Sequence, residues 1–161
     1  MKTENDMEQH YLNLALQFLR DHHDVALATV ESNKPKLRIF QVMAIEGATL
    51  YFATSPRKDV WRQLQACPAV ELIGLHDQVS VRCVGQACFD VPDAMQRHIF
   101  ATNPVLPRLY EHYDQLGYFS VPISQLDYYD LRPTPPVLKH LDLTTGEAGD
   151  GFVGEKFMKK R

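Results

Sequence analysis

The chain has little that would commit it to a metal, a disulfide framework, a membrane or a nucleic acid. Its 161 residues include three cysteines and one tryptophan. Cys67, Cys83 and Cys88 are odd in number and form no CxxC pair, which removes the usual zinc and dithiol spacings. Cys83 and Cys88 lie five apart in one predicted strand and face opposite sides, so all three read as free, mostly buried thiols. Lys and Arg total 17 against 20 Asp and Glu, a net charge of −3, so the basic excess of a general nucleic-acid binder is missing. No apolar run approaches a bilayer span and the first ten residues are polar rather than signal-like, which predicts a cytoplasmic protein without a membrane segment. Repeats, low-complexity tracts and a Ser/His/Asp set are also missing. The histidines are scattered, and His22 and His23 stand at a predicted helix end, where the helix dipole suits them without a metal.

What is present, 45% hydrophobic and 23% charged residues, suits one globular domain with a substantial core. Residues 8–21 predict an amphipathic helix with Leu12, Ala15, Leu16 and Leu19 on one face. Residues 25–30, 36–45 and 49–53 read as strands in quick succession, joined by a polar turn and by Gly47, as in an antiparallel meander. A helix is expected over 56–66, with Val60, Leu64 and Cys67 at core spacing, then strands over 70–75 and 79–90. Pro92 starts a helix through Phe100, and a further helical stretch runs to about Tyr113. Residues 117–121 and 126–131 read as the last strands, separated by a bend at Pro122. Residues 144–161 read as a tail that is loosely ordered unless it packs on a partner. The fold class is therefore α+β, mainly β with helices, with residues 1–143 as the domain. Six or seven antiparallel strands of this kind are best closed as a barrel, which removes exposed edges.

The segment Thr54-Ser55-Pro56-Arg57-Lys58-Asp59-Val60-Trp61 carries the most chemical information. Thr54 or Ser55 suits an N-cap and Pro56 the first helical position, which puts Arg57 and Lys58 in a first turn that acidic residues usually occupy. Either both are solvated cations on a surface helix, or they share an anion with the helix amides, phosphate being the commonest such ligand. Arg38 sits on the face of a strand shared with Phe40 and Val42. A charge in such a row is expensive unless paired. Its head either reaches water at a rim or meets the anion of Arg57 and Lys58, because the hairpin of residues 36–53 leads directly into that helix.

The ordered set Arg38-Ile39-Phe40, Leu50-Tyr51-Phe52-Ala53-Thr54, Arg57-Lys58, Gln65-Ala66-Cys67-Pro68-Ala69-Val70 and residues 79–87, Val-Ser-Val-Arg-Cys-Val-Gly-Gln-Ala, resembles the pyridoxamine 5′-phosphate oxidase-related flavoproteins, over residues 8–131. The resemblance implies the FMN-binding split β-barrel and a homodimer with FMN at its interface. It assigns Arg38 and Lys58 to the FMN phosphate, with Arg57 beside them. The strand Arg38, Ile39, Phe40, Gln41, Val42 and Met43 would run along the flavin, and Ala53 and Thr54 would contact it mainly through backbone. Ser80 falls where the oxidases proper have a glutamine near the flavin ring, and Arg82 should face the same side. Those oxidases end in a tryptophan and an Arg-x-His motif, whereas this chain has its tryptophan at Trp61 and ends the matched region with Arg132-Pro133-Thr134-Pro135-Pro136. Vitamin B6 is therefore not the expected substrate. The chain looks more like the short members grouped with nitroimidazole-resistance reductases, with His76 as the nearest candidate for their histidine. The function implied is an FMN-dependent oxidoreductase acting on a small planar acceptor. The alternatives are a non-catalytic flavin-binding or sensing module, a haem-binding or haem-degrading member of the fold, or a deazaflavin in place of FMN. Tyr128, Tyr129 and Arg132 either reach a partner's flavin site or are ordinary interface or surface residues.

Overall fold

The computed structural model describes residues 3–151. Helix α1 (Glu4–Asp21) opens on a capping box in which the Thr3 hydroxyl accepts from the Asp6 N–H and the Asp6 carboxylate accepts from the Thr3 N–H. Its apolar stripe buries Ala15, Leu16 and Leu19. Strands β1 (Asp24–Glu31) and β2 (Lys34–Gln41) form a hairpin through Ser32 and Asn33, both left-handed with φ of 51° and 61°, a turn whose twist matches that of the strands. The order continues with β3 (Ala44–Glu46), β4 (Thr49–Thr54), α2 (Asp59–Ala66), β5 (Ala69–His76) and β6 (Val79–Gln86). Then come α3 (Asp93–Thr102), α4 (Val105–Leu109), a 3-10 turn (Tyr113–Gln115), β7 (Gly117–Asp130), β8 (Val137–Asp142) and β9 (Glu147–Asp150). Seven strands make one curled antiparallel path, β2-β1-β5-β6-β7-β4-β3, and the β8–β9 hairpin branches from β7. Inside the curl Phe52 and Phe119 stack with ring centroids 5.1 Å apart, and Phe40 meets both edge-on at 5.8 and 5.6 Å.

The expected strand over 36–45 is two strands, because the chain changes partners at Val42 and Met43. The Val42 N–H donates to the His23 carbonyl (2.8 Å) beside β1, and the Met43 N–H donates to the Tyr51 carbonyl (2.9 Å) in β4. Conversely, the two strands expected around Pro122 are one. Residues 117–122 pair with β4 and residues from Ile123 onward with β6, so the proline sits where the ladder passes between neighbours and bends the strand without ending it. Opposite it the register shifts at Val84 and Gly85, where a Cβ on Gly85 would stand 2.5 Å from the Pro122 carbonyl oxygen. Strand β6 stops at Gln86 rather than Asp90, leaving Cys88 in an isolated bridge with Ser120. Residues 144–150, expected in the tail, turn and return as β9, and residues 152–161 of that tail lie outside the described residues. No helix among the described residues is long and apolar enough to cross a membrane.

Candidate functional site

Two strand edges face each other without pairing. Among the described residues β2 has a hydrogen-bonded neighbour only in β1, and β4 pairs with β3 only as far as Tyr51. The backbone polar groups of residues 52–54 on that side of β4 therefore have no strand to bond. Between the edges lies a cavity of about 380 Å³, within the range of small-molecule and cofactor sites. Of the residues singled out from the sequence, Arg38, Ile39, Phe40, Gln41, Met43, Ala53, Thr54 and Lys58 line it. The facing wall is apolar: Val105, Leu106 and Leu109 of α4, then Tyr110 and Leu116.

Arg38 projects inward from β2 and is partly buried, and burial pulls its guanidinium below its ordinary value without discharging it. Every acceptor it meets is neutral. Nη1 donates to the Thr29 hydroxyl at 2.8 Å and to the Leu27 and Lys36 carbonyls at 3.3 Å each, and Nη2 donates to Gln63 Oε1 at 2.5 Å. No ion pair joins Arg38, Arg57 or Lys58 to an acid among the described residues.

Helix α2 begins three residues later than expected. The Lys58 N–H donates to the Ser55 carbonyl at 3.0 Å, closing a turn with Pro56 at its second position, which suits proline as well as a helix start does. Lys58 is the N-cap and Asp59 supplies the acidic first turn. Arg57 and Lys58 thus precede the helix, and the dipole conflict suggested by the sequence is gone. Lys58 nevertheless lines the cavity, whereas Arg57 does not.

Thr54 ends β4 with its side chain buried at 5% exposure, and its Oγ1 is the buried side-chain polar atom that has no hydrogen-bond partner among the described residues. An unpaired buried hydroxyl is costly, about 1 to 3 kcal/mol, and Thr54 lines the cavity, so a ligand that reached the hydroxyl there would complete it. The cations, the orphaned hydroxyl, the free backbone edge and the apolar wall together fit a phosphorylated planar cofactor such as FMN.

The other expected site residues lie elsewhere. Val42 is buried in the core. Ser80 and Arg82 share one side, as expected, but line a separate hollow of about 320 Å³ on the outer face of the sheet with Asp127 and Tyr129. There Arg82 Nε donates to Asp127 Oδ2 at 2.9 Å and His140 Nδ1 lies 2.7 Å from Asp127 Oδ1. Burial raises the Asp127 carboxyl, but the hydrogen bonds from His140 and Arg82 outweigh it and hold the group below the usual carboxylate range. His76 stacks on His22, ring centroids 3.8 Å apart, away from the cavity. Tyr128 is buried against Tyr11, and Arg132 is held by Asp130 at 2.9 Å. Cys83 is a free buried thiol that burial pushes up to about 12, which leaves it unreactive.

Residues not singled out from the sequence also shape the site. Asn103 Nδ2 donates to the Met43 carbonyl at 3.1 Å and to the Ile99 carbonyl at 2.8 Å, tying the end of α3 to the point where β2 gives way to β3. Gln63, 4% exposed, stands on the buried stripe of α2 with Val60 and Leu64. A polar residue on an apolar stripe was its signal in the sequence.

A family model described as pyridoxamine 5′-phosphate oxidase matches residues 14–134. Solved structures of similar fold include a NimC/NimA family protein from Clostridium acetobutylicum, 20% identical with a TM-score of 0.69, covering 81% of this chain and 94% of that one. A pyridoxamine 5′-phosphate oxidase-related, FMN binding protein from Nostoc punctiforme is 16% identical with a TM-score of 0.63, covering 91% and 96%. A heme binding protein from Mycobacterium smegmatis is 12% identical with a TM-score of 0.64, covering 81% of this chain and 57% of that one. At these identities the likeness concerns the fold: the curled sheet is the split barrel. No curated protein matches the chain in sequence.

Proposed function

The chain belongs to the pyridoxamine 5′-phosphate oxidase family, and on that premise we propose that it is a cytoplasmic, homodimeric FMN-binding oxidoreductase acting on a small planar acceptor other than vitamin B6. The observation that carries the reading is that Arg38 and Lys58, on separate elements and without ion pairs among the described residues, line one cavity with Thr54, whose hydroxyl is orphaned. In this reading Arg38 and Lys58 hold the phosphate, with Arg57 at the solvent side. The free edge at Ala53 and Thr54 offers backbone groups to the ring, Phe40 floors the cavity, and α4 walls it from water. The bound flavin supplies the electron-transfer chemistry, which explains why a nucleophile with its base is not needed. Three free thiols suit a reducing compartment.

The dimer is supported by the outer face of the sheet. Leu37, Ile39 and Leu75 are 71%, 69% and 74% exposed there, an apolar patch of the kind that marks an interface. Ser80 and Arg82 open onto the same face, so a second copy seated there would cover their hollow.

The test is the absorbance of the purified protein before and after addition of FMN, expected to show about one flavin per chain. Turnover is then followed with NADH or NADPH and a panel of nitro, quinone and flavin acceptors. A colourless protein that ignores FMN overturns the reading. Bound FMN without turnover replaces the oxidoreductase with a storage or sensing module. A Soret shift on haem addition, with no flavin bound, assigns the cavity to haem instead.

A further inference from the structure

We propose that Gln63 is a positioning residue that aims the Arg38 guanidinium at the cavity while leaving its charge uncancelled for a phosphate. The inference rests on the reading of this cavity as an FMN site. Gln63 Oε1 accepts from the Thr29 hydroxyl at 2.8 Å and from Arg38 Nη2 at 2.5 Å, and Gln63 Nε2 donates to Glu31 Oε2 at 2.8 Å. Because the amide nitrogen faces a carboxylate, the amide oxygen is the end that must face Arg38. Glu31 is fixed in turn by Arg62, which also bonds Asp59 at the start of α2. Hydrogen bonds from Arg62, and then from Gln63, hold the Glu31 carboxyl below the usual carboxylate range, so it remains an acceptor across ordinary pH.

The chemistry of the acceptor matters as much as its place. A carboxylate in contact with Arg38 would make an internal ion pair and compete with any incoming anion. A glutamine oxygen directs the same guanidinium without neutralising it. The nearest acid in this network, Glu31, touches Arg38 only through Gln63. With Nη1 and Nη2 occupied on the Thr29 and Gln63 side, Nε makes no hydrogen bond among the described residues, and Arg38 lines the cavity.

The experiment compares FMN with riboflavin, which lacks the phosphate, in the wild type, Gln63→Glu and Gln63→Met. Gln63→Glu is expected to lower FMN affinity by about tenfold or more while riboflavin affinity stays as in the wild type, because only the phosphate contact is lost. Gln63→Met keeps the volume and removes the acceptor, and is expected to lower FMN affinity several-fold by the same selective route. A parallel loss of FMN and riboflavin affinity would mean that Gln63 only supports the fold, and overturns the proposal. A second readout needs no flavin: the Arg38 Nε–Hε resonance of the apo protein, expected to be sharp in the wild type and exchange-broadened in Gln63→Met. An unchanged resonance overturns the positioning role. A wild type that binds neither flavin but shows the resonance difference overturns the FMN reading alone.

Discussion

Gly117 lies directly beneath the indole of Trp61: a Cβ built on it would stand 2.7 Å from Cζ3 and 2.8 Å from Cε3. Gly117 is also the cross-strand partner of Thr54, and Trp61 belongs to α2, which carries Gln63. The contact seats that helix against the strand end at the cavity, and Phe89 meets the indole in a T-shaped contact with ring centroids 5.1 Å apart. Gly117→Ala forces the ring away and is expected to cost about 1 to 3 kcal/mol in denaturant unfolding. Trp61 is the single tryptophan, so its emission should shift with the substitution. Unchanged emission and stability would show that the ring has room to move.

Arg38→Ala and Lys58→Ala are each expected to weaken FMN binding by about 1 to 3 kcal/mol, the scale of a charge-assisted hydrogen bond. Titration by flavin fluorescence measures it. Unchanged affinity in both variants places the phosphate elsewhere.

Thr54→Val separates the apo from the bound protein. Valine fills nearly the same space and removes the unpaired hydroxyl, so the unfolding free energy of the apo protein should rise by about 1 kcal/mol, while flavin affinity falls. A fall in apo stability would mean that the hydroxyl already has a partner, such as water.

Asp127 predicts a pH dependence with a definite sign. Its folded-state pKa lies below the ordinary 3.8. The stabilisation is therefore fully present above that value and is lost as pH falls through the depressed folded one. Asp127→Asn should flatten the acid side of the stability profile below about pH 4 and leave a protein less stable at neutral pH. Melting curves across pH check this; an acid limb identical to the wild type assigns it to other carboxylates.

Leu75→Lys puts a charge on the outer face at a residue 74% exposed in the single chain. The fold should be indifferent to it, but a dimer formed through that face should dissociate, read as a halved mass in light scattering. A retained dimer mass moves the interface elsewhere.

Much of the site was legible because strands alternate strictly. The period that placed Arg38 with Phe40 placed Ser80 with Arg82, and both pairs share a face in the structure. The start of α2 was not legible locally: Pro56 fits a helix's first residue and a turn's second equally, and the Lys58 to Ser55 hydrogen bond decides between them. The split of residues 36–45 depends on β1 and β4 competing for one stretch of chain, which no local pattern records. The apolar wall came from α4, five residues flanked and interrupted by prolines, too short for a periodic signal. Gln63 was visible as a polar residue at core spacing, but its meaning came only with Thr29 and Glu31 from another strand.

The exchange of partners at Val42 and Met43 has a mechanical consequence. One unbroken stretch of backbone is bound to β1 on one side of that point and to β4 on the other, so β2 and β4 diverge like the legs of a compass from a covalent pivot. Asn103 clamps that pivot through the Met43 carbonyl. That clamp opposes spreading of the legs, whereas Leu109 of α4 lines the cavity and is 63% exposed. On the proposed reading as a flavin site, selectivity among planar guests would be a property of how far one short helical arm yields, not of how wide the barrel opens.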